Sequence, residues 1–350
     1  MSGPRASEHP TSALLEVSDL TVQVRRGHRA FRAVDGVSFS LSAGGSLGIV
    51  GESGSGKSMT LRAVMGLLPR AARASAGTVR VAGEAVPAGR RRSPGDRRRE
   101  RLAMVFQDAL AALDPVMTVG AQVAEAPRRA AGLSARAARE RALELLRLVG
   151  IPDPVRRYDS YPHELSGGQR QRAMIAVALS ADPEVLLCDE PTTALDVTIQ
   201  AQILALLDEL RESRGLGLVF VTHDLGVVGQ ICDDIAVMYA GRVVESGPVS
   251  AVLDSPRHPY TAALRASAID VDSARQAPRS IPGTVPDPLR LPPGCPFQPR
   301  CGFAQPDCAD GPVPLREIAP GRSVACLHHD ALAGPPSTLS EPSGTGPADD

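Results

Sequence analysis

The run LGIVGESGSGKS at residues 47–58 constrains the fold more than any other stretch of this chain. An apolar, strand-like segment ends in a glycine-rich loop. Beyond the loop, Leu61, Val64, Met65 and Leu68 recur at i, i+3, i+4 and i+7, the period of one helix face, and Pro69 is expected to stop that helix. Strand, loop and helix in that order are the context in which G-x-x-x-x-G-K-[ST] carries a physical meaning. Gly51, Gly54 and Gly56 let the backbone turn, so that N–H groups of a loop also containing Glu52, Ser53 and Ser55 face one anion at a positive helix N-terminus. Lys57 is placed to reach the β- and γ-phosphates of a nucleotide and Ser58 to ligate Mg²⁺, with Met59 completing the nucleotide-contacting run. By itself this cradle says only that a nucleotide binds.

A second segment supplies carboxylates. In VLLCDE, residues 185–190, an apolar run ends in Asp189 and Glu190, and the end of a parallel strand is where such a sheet presents ligands. Asp189 suits a hard Mg²⁺ ion alongside Ser58. Glu190, one residue on, is placed to accept a hydrogen bond from an attacking water.

The rest of the chain organises around these two segments. VSDLTVQV and AVDGVSFSLSAGGSLGIV read as half-buried strands, and VLLCDE and LVFVTHD return as strands each followed by helix-compatible text. That alternation predicts an α/β fold with a mainly parallel sheet flanked by helices. From about residue 119 to 179 the text is rich in Ala, Leu, Arg and Glu at helical spacing, which predicts a helical insert. The arginine-rich stretch at 90–101 contains Ser93, Pro94 and Gly95 and reads as a solvated loop. Residues 1–13 read as a flexible N-terminus and 334–350 as a disordered tail. The 350 residues carry a net charge of −1, so no global field draws the chain to nucleic acid or lipid. No apolar stretch reaches the roughly 18 residues of a membrane span, and the first 20 residues lack a signal-peptide core, which predicts a cytoplasmic protein.

LSGGQ at 165–169 opens the helix-like run RQRAMIAVALSA, and with it the chain resembles an ABC-transporter ATP-binding subunit. The resemblance implies a P-loop core with an antiparallel β subdomain and a helical subdomain at about 108–180, together spanning 14–260. It implies that Ser166, Gly167, Gly168 and Gln169 cover the γ-phosphate held by another subunit's cradle, and small residues at a positive helix end suit that approach. Gln107 in MVFQDALAALDP resembles the glutamine that touches Mg²⁺ or the water where membrane subunits dock. Asp196 in TTALD resembles the loop that crosses the dimer interface, and His223 in VFVTHDL the histidine that contacts the γ-phosphate. The resemblance thus assigns catalysis to Glu190, His223, Gln107 and Lys57, and Mg²⁺ to Ser58, Gln107 and Asp189. An aromatic residue that stacks on adenine is expected before the cradle, where Phe31 is the nearest candidate and His28 the alternative.

Flanking text, including SPRHPYTAALRAS and IPGTVPDPLRLPPGCPFQPRC, is similar to ATPase subunits of dipeptide and oligopeptide importers over residues 14–330. Ala109 and Asp114 stand where that family often has Pro and Asn. Importers of nickel and other small solutes share much of this text and remain the alternative. The family implies a second, related ATPase chain, two membrane permease subunits, an extracytoplasmic solute-binding protein and a location at the cytoplasmic face of the cell membrane. A soluble ABC ATPase acting on DNA or ribosomes would carry long coiled-coil or zinc insertions or two cassettes, and the text between Ser58 and Leu165 lacks heptads.

Four of the six cysteines, Cys295, Cys301, Cys308 and Cys326, crowd into a proline-rich stretch of a C-terminal module at 261–333. The other two, Cys188 and Cys232, stand in apolar segments as small hydrophobes. Disulfides are disfavoured in a reducing cytosol, and four thiolates in a loop-rich segment can replace a core with a metal or cluster. The paired C-x₂-C of zinc ribbons is missing, so zinc, a cluster and free thiols all stay open from spacing. The family resemblance favours a [4Fe–4S] cluster.

Overall fold

The computed structural model describes residues 13–87, 101–193, 195–267 and 281–332. Residues 88–100, with all of the arginine-rich stretch but Arg101, the first 12 residues and the tail from 333 lie outside the described residues.

The strands in chain order are β1 (Leu15–Arg26), β2 (Arg29–Leu41), β3 (Ser46–Val50), β4 (Ala72–Val81), β5 (Glu84–Pro87), β6 (Leu102–Val105), β7 (Val185–Asp189), β8 (Gly217–Thr222), β9 (Asp234–Tyr239), β10 (Arg242–Pro248), β11 (Arg316–Ala319) and β12 (Arg322–Val324). They form a four-stranded sheet, β2-β1-β4-β5, and an eight-stranded sheet, β11-β12-β10-β9-β3-β8-β7-β6. In the larger sheet β9, β3, β8, β7 and β6 run parallel. β3, β7 and β8 are buried along their whole length, and their sequences are accordingly apolar except at the ends, where Ser46, Asp189 and Thr222 stand. β1 alternates buried and half-buried residues, as a strand with one face on the core does.

Parallel register decides where the site lies. Val50 pairs with Thr222 and Asp189 with Val221, so β3, β7 and β8 end side by side and the next residues, Gly51, Glu190 and His223, leave the sheet together. The helix after the glycine loop spans Lys57–Met65 and ends one turn earlier than the sequence suggests. Gly66 takes φ +69 and its N–H donates to the Ala63 carbonyl, closing the helix three residues before Pro69.

Between β6 and β7 the chain is helical, with helices at Ala109–Ala112, Val119–Ala130, Ala135–Leu148, Pro154–Tyr158 and Gly167–Leu179. Asp108, Thr118, Ser134 and Ser166 cap four of them by accepting backbone N–H bonds. Val119, Val123, Ala138, Ala142, Leu145 and Leu146 bury the shared apolar face against Ala173 and Met174.

The C-terminal residues are less separate than their composition suggests. β12 pairs antiparallel with β10, matching Glu245 to Val324 and Ser246 to Ser323, and so extends the main sheet. Phe297, 2% exposed, lies with its ring centre 5.3 Å from that of Tyr239 and 5.4 Å from that of Tyr260. Burying such a ring is worth about 2–3 kcal/mol.

Candidate nucleotide site

The glycine loop is held from both sides. Gly51 adopts φ +153 and Gly56 φ +105, and a Cβ at either would press to 2.2 Å from the Met238 carbonyl oxygen or 2.5 Å from that of Ala33. Only glycine lets the loop pass between β2 and β9. Lys57, 4% exposed, donates from Nζ to the Gly51 carbonyl at 2.7 Å and the Glu52 carbonyl at 3.1 Å, folding its chain back over the loop. Burial pulls its pKa down, and the carboxylates of Glu190, Asp189 and Glu52 oppose that shift.

Ser58 Oγ donates to Asp189 Oδ1 at 2.6 Å, joining the two residues assigned to Mg²⁺ although 131 positions separate them. A hydroxyl and a carboxylate oxygen are hard donors, so the pair fits a divalent Mg²⁺ ion. Burial raises the pKa of Asp189, opposed first by the Ser58 hydroxyl.

Glu190 begins the turn after β7 at φ +48, a left-handed conformation that costs a non-glycine residue about 1–3 kcal/mol. Its N–H donates to the Val221 carbonyl at 3.0 Å, which ties the turn to the neighbouring strand. Oε2 accepts from Thr193 Oγ1 at 3.0 Å and Gln107 Nε2 at 3.3 Å, lies 3.5 Å from His223 Nδ1, and Oε1 stands 3.9 Å from Lys57 Nζ. Lys57, Gln107, Glu190 and His223 therefore converge on one point at the ends of β3, β6, β7 and β8. Thr193 was not singled out by sequence. Its signal, a hydroxyl three positions after Glu190, becomes visible only once the turn is drawn.

The signature residues stand apart from this convergence. Ser166 Oγ accepts from the Gln169 N–H at 3.3 Å, and Gln169 Oε1 accepts from the Ser166 N–H at 3.2 Å, a reciprocal cap on the Gly167–Leu179 helix. A Cβ on Gly167 would meet open space, whereas one on Gly168 would lie 2.9 Å from Ile199 Cγ2. Ile199 belongs to the Val197–Arg214 helix, whose cap is Asp196 accepting from the Ile199 N–H at 2.9 Å. Asp196 and the signature thus sit on two touching helix ends. Of the adenine candidates, Phe31 is half-buried on β2 two residues before Ala33, which flanks the loop, while His28 is exposed in the turn between β1 and β2.

Cys295, Cys301, Cys308 and Cys326 line one cavity with His258, Phe297 and His328, enclosing about 20 Å³. Burial pushes the Cys295 and Cys301 thiols up, and that of Cys326 up to about 11. Ligand atoms of Asp307, Cys308 and His328 lie within 4.8 Å of one another, and His328 Nε2 is 2.9 Å from Asp307 Oδ1.

Comparison with known proteins follows the same division. The ABC transporter family profile matches residues 34–193, and the profile for the C-terminal region of oligopeptide/dipeptide transporters matches 244–308. A relative from Brucella abortus is 46% identical over 316 residues, covering 90% of this chain and 95% of its own. The oligopeptide transport ATP-binding protein of Salmonella typhimurium is 45% identical over 324 residues, covering 91% of this chain and 94% of its own. Among solved structures, a dimeric ATP-binding cassette in a post-hydrolysis state bound to ADP and Pi superimposes with a TM-score of 0.59 at 29% identity, over 67% of this chain and 98% of that one.

Proposed function

The chain belongs to the ATP-binding subunits of ABC transporters, and on that footing we propose that it couples ATP hydrolysis to the import of dipeptides and oligopeptides. The observation that carries the reading is the meeting of Lys57 and Glu190 with Gln107 and His223 beside the Ser58–Asp189 pair. The glycine-loop N–H groups and Lys57 bind and neutralise the phosphates. Ser58 and Asp189, with Gln107, would hold Mg²⁺, which would supply charge neutralisation at the phosphates. Glu190 accepts a hydrogen bond from the water that attacks the γ-phosphorus as the bond to ADP breaks. His223 and Gln107 hold that geometry, and Thr193 orients the Glu190 carboxylate. Phe31 is the better-supported adenine contact, being on the strand that flanks the loop.

Ser166, Gly167, Gly168 and Gln169 are assigned to the ATP of a second ATPase subunit. The Ser166 and Gln169 side chains accept from each other's backbone N–H and leave the Gly167 face open, which supports a role outside this chain's own cradle. A related but different chain is the proposed partner. Two permease subunits and an extracytoplasmic binding protein complete the importer, with this subunit peripheral on the cytoplasmic face. Among the described residues, no helix is long and apolar enough to cross a membrane.

For the cysteine cavity the reading is a [4Fe–4S] cluster held by Cys295, Cys301, Cys308 and Cys326. Four soft sulfur donors around one cavity fit such a group, and burial holds the Cys295, Cys301 and Cys326 thiols above their ordinary pKa, so ionising those three needs the compensating charge of bound metal. A single zinc ion is the second reading, favoured by the approach of Asp307, Cys308 and His328 in a small cavity. Anaerobically purified protein is expected to be brown, with absorption near roughly 400 nm. A colourless preparation with stoichiometric zinc contradicts the cluster. For the cargo, reconstitution with the membrane subunits and binding protein is expected to give ATPase activity stimulated by short peptides. Stimulation by nickel or another small solute, and not by peptides, would overturn the peptide assignment.

A further inference from the structure

Glu52, the second residue of the phosphate loop, is held by the C-terminal residues at both its main chain and its side chain. Its N–H donates to Tyr260 Oη at 2.8 Å, and its carboxylate accepts two bonds from Arg300, Nη1 to Oε2 at 2.8 Å and Nη2 to Oε1 at 3.1 Å. Glu52 also presents its carbonyl to Lys57 Nζ at 3.1 Å and to the Ser55 N–H at 3.2 Å. One residue of the cradle therefore connects the phosphate-binding lysine to a chain segment 248 positions away.

Arg300 is built for that contact. Its side chain is 4% exposed, and every nitrogen of the guanidinium has a partner: Nε donates to the Pro282 carbonyl at 2.8 Å, Nη2 also reaches the Ile281 carbonyl at 3.3 Å, and Nη1 the Tyr239 hydroxyl at 3.3 Å. A planar fork with all donors satisfied fixes the carboxylate in orientation as well as place, which a lysine does not do. Arg300 ends the short turn Gln298–Arg300 between Cys295 and Cys301, and its own N–H donates to the Phe297 carbonyl at 2.9 Å. The backbone bond from the Cys301 N–H to the Gln298 carbonyl at 3.2 Å continues the turn into the cysteine cavity. Cavity, turn, guanidinium, Glu52 and Lys57 thus form one contiguous path.

We propose that Arg300 is a positioning residue for the phosphate loop, through which the cysteine-bearing module sets how tightly this chain holds ATP. The inference rests on the cradle being the ATP site. Losing the Arg300 fork releases the Glu52 side chain and loosens the carbonyl against which Lys57 is set. The loss appears in nucleotide affinity, because Arg300 reaches no reacting atom. It differs from a packing defect, which lowers the folded fraction and leaves the KM of the surviving molecules unchanged.

The test is a double-mutant cycle on the intact chain, with Arg300→Gln, Glu52→Gln and both together, plus Arg300→Lys. Equilibrium binding of ATP and steady-state turnover are measured, normalised to the stoichiometry of bound nucleotide. Either single substitution is expected to raise KM for ATP about five- to twentyfold with kcat changed less than about twofold. The double variant is expected to be no worse than the weaker single variant, and Arg300→Lys to recover part of the loss. ATP affinity of Arg300→Gln within about twofold of the parent, or effects that multiply in the double variant, would overturn the proposal. If Arg300→Gln does not fold, Arg300→Lys and Glu52→Gln decide it, since unchanged affinity in both overturns it. Lys57→Ala separates the two levels of failure: ATP binding that survives that substitution refutes the site, whereas binding lost there but unaffected at Arg300 refutes only the clamp.

Discussion

The phosphate cradle and the cysteine cavity touch through Glu52 and Arg300, yet they are built by different means. The cradle is eight consecutive residues between a buried strand and a helix, and its geometry follows from glycine φ angles, main-chain bonds and the register of β3 against β8. The cavity draws its thiols from residues spread over 295–326, in short turns and in loop positions beside two three- or four-residue strands. Those segments cannot nucleate a core by themselves. They are ordered by Phe297 entering the Tyr239–Tyr260 cluster, by β12 joining β10 and by Arg300 gripping the loop. The catalytic region therefore organises itself, while the cysteine region borrows its order from the ATP core and can act back on it.

The largest expected effect breaks the borrowed order. Phe297→Ala should cost about 3–5 kcal/mol locally, releasing the cysteines to thiol reagents while the parallel sheet persists. Thermal unfolding with thiol counting checks it, and unchanged thiol protection would mean that the region orders itself. Next, Lys57→Ala should weaken ATP binding by about 3 kcal/mol or more and leave the thiols as protected as before, as calorimetric titration and thiol counting would read.

Acid gives the third effect. His258 is 1% exposed beside the cavity, and burial pushes its pKa down to about 3. With an unfolded value of about 6.5, the unfolded chain takes up a proton that the folded chain refuses. The stability is therefore whole above about pH 6.5 and drains away as pH falls toward about 3, by about 2 kcal/mol between pH 7 and pH 5. His258→Asn, which keeps an acceptor for the Tyr260 N–H, should flatten that slope in denaturant midpoints at the two pH values. Equal slopes would remove His258 as the cause. The smallest effect is Ser166→Ala, about 1 kcal/mol from the lost cap, read from thermal unfolding of the subunit alone and accompanied by lower turnover in the assembled transporter.

The same contrast explains what the sequence reveals. Consecutive motifs are legible because chemistry and spacing are local: Gly51 to Ser58, Asp189, Glu190 and Ser166 to Gln169 announce themselves, and parallel register then joins Ser58 to Asp189. Apolar runs likewise give β3, β7 and β8 of the main sheet. Helix ends are less legible, since Gly66 and Pro69 both stop a helix and only the structure shows that the glycine acts first. Thr193, Tyr260 and Arg300 stay hidden because their roles arise from contact between distant or turned segments. No periodicity marks a guanidinium that will meet a carboxylate 248 residues earlier. β11 and β12 escape for a related reason: both are short, β11 is mostly exposed, and they become strands by pairing outward from an edge that already exists.

Glu190 is the residue on which the central claim turns, because Thr193, Gln107, His223 and Lys57 all address its carboxylate. The direct measurement is ATP binding and turnover of Glu190→Gln in the assembled transporter. The geometry predicts ATP binding at least as tight as in the parent and hydrolysis slowed on the order of 10²–10⁴-fold. Hydrolysis at the parental rate would contradict it.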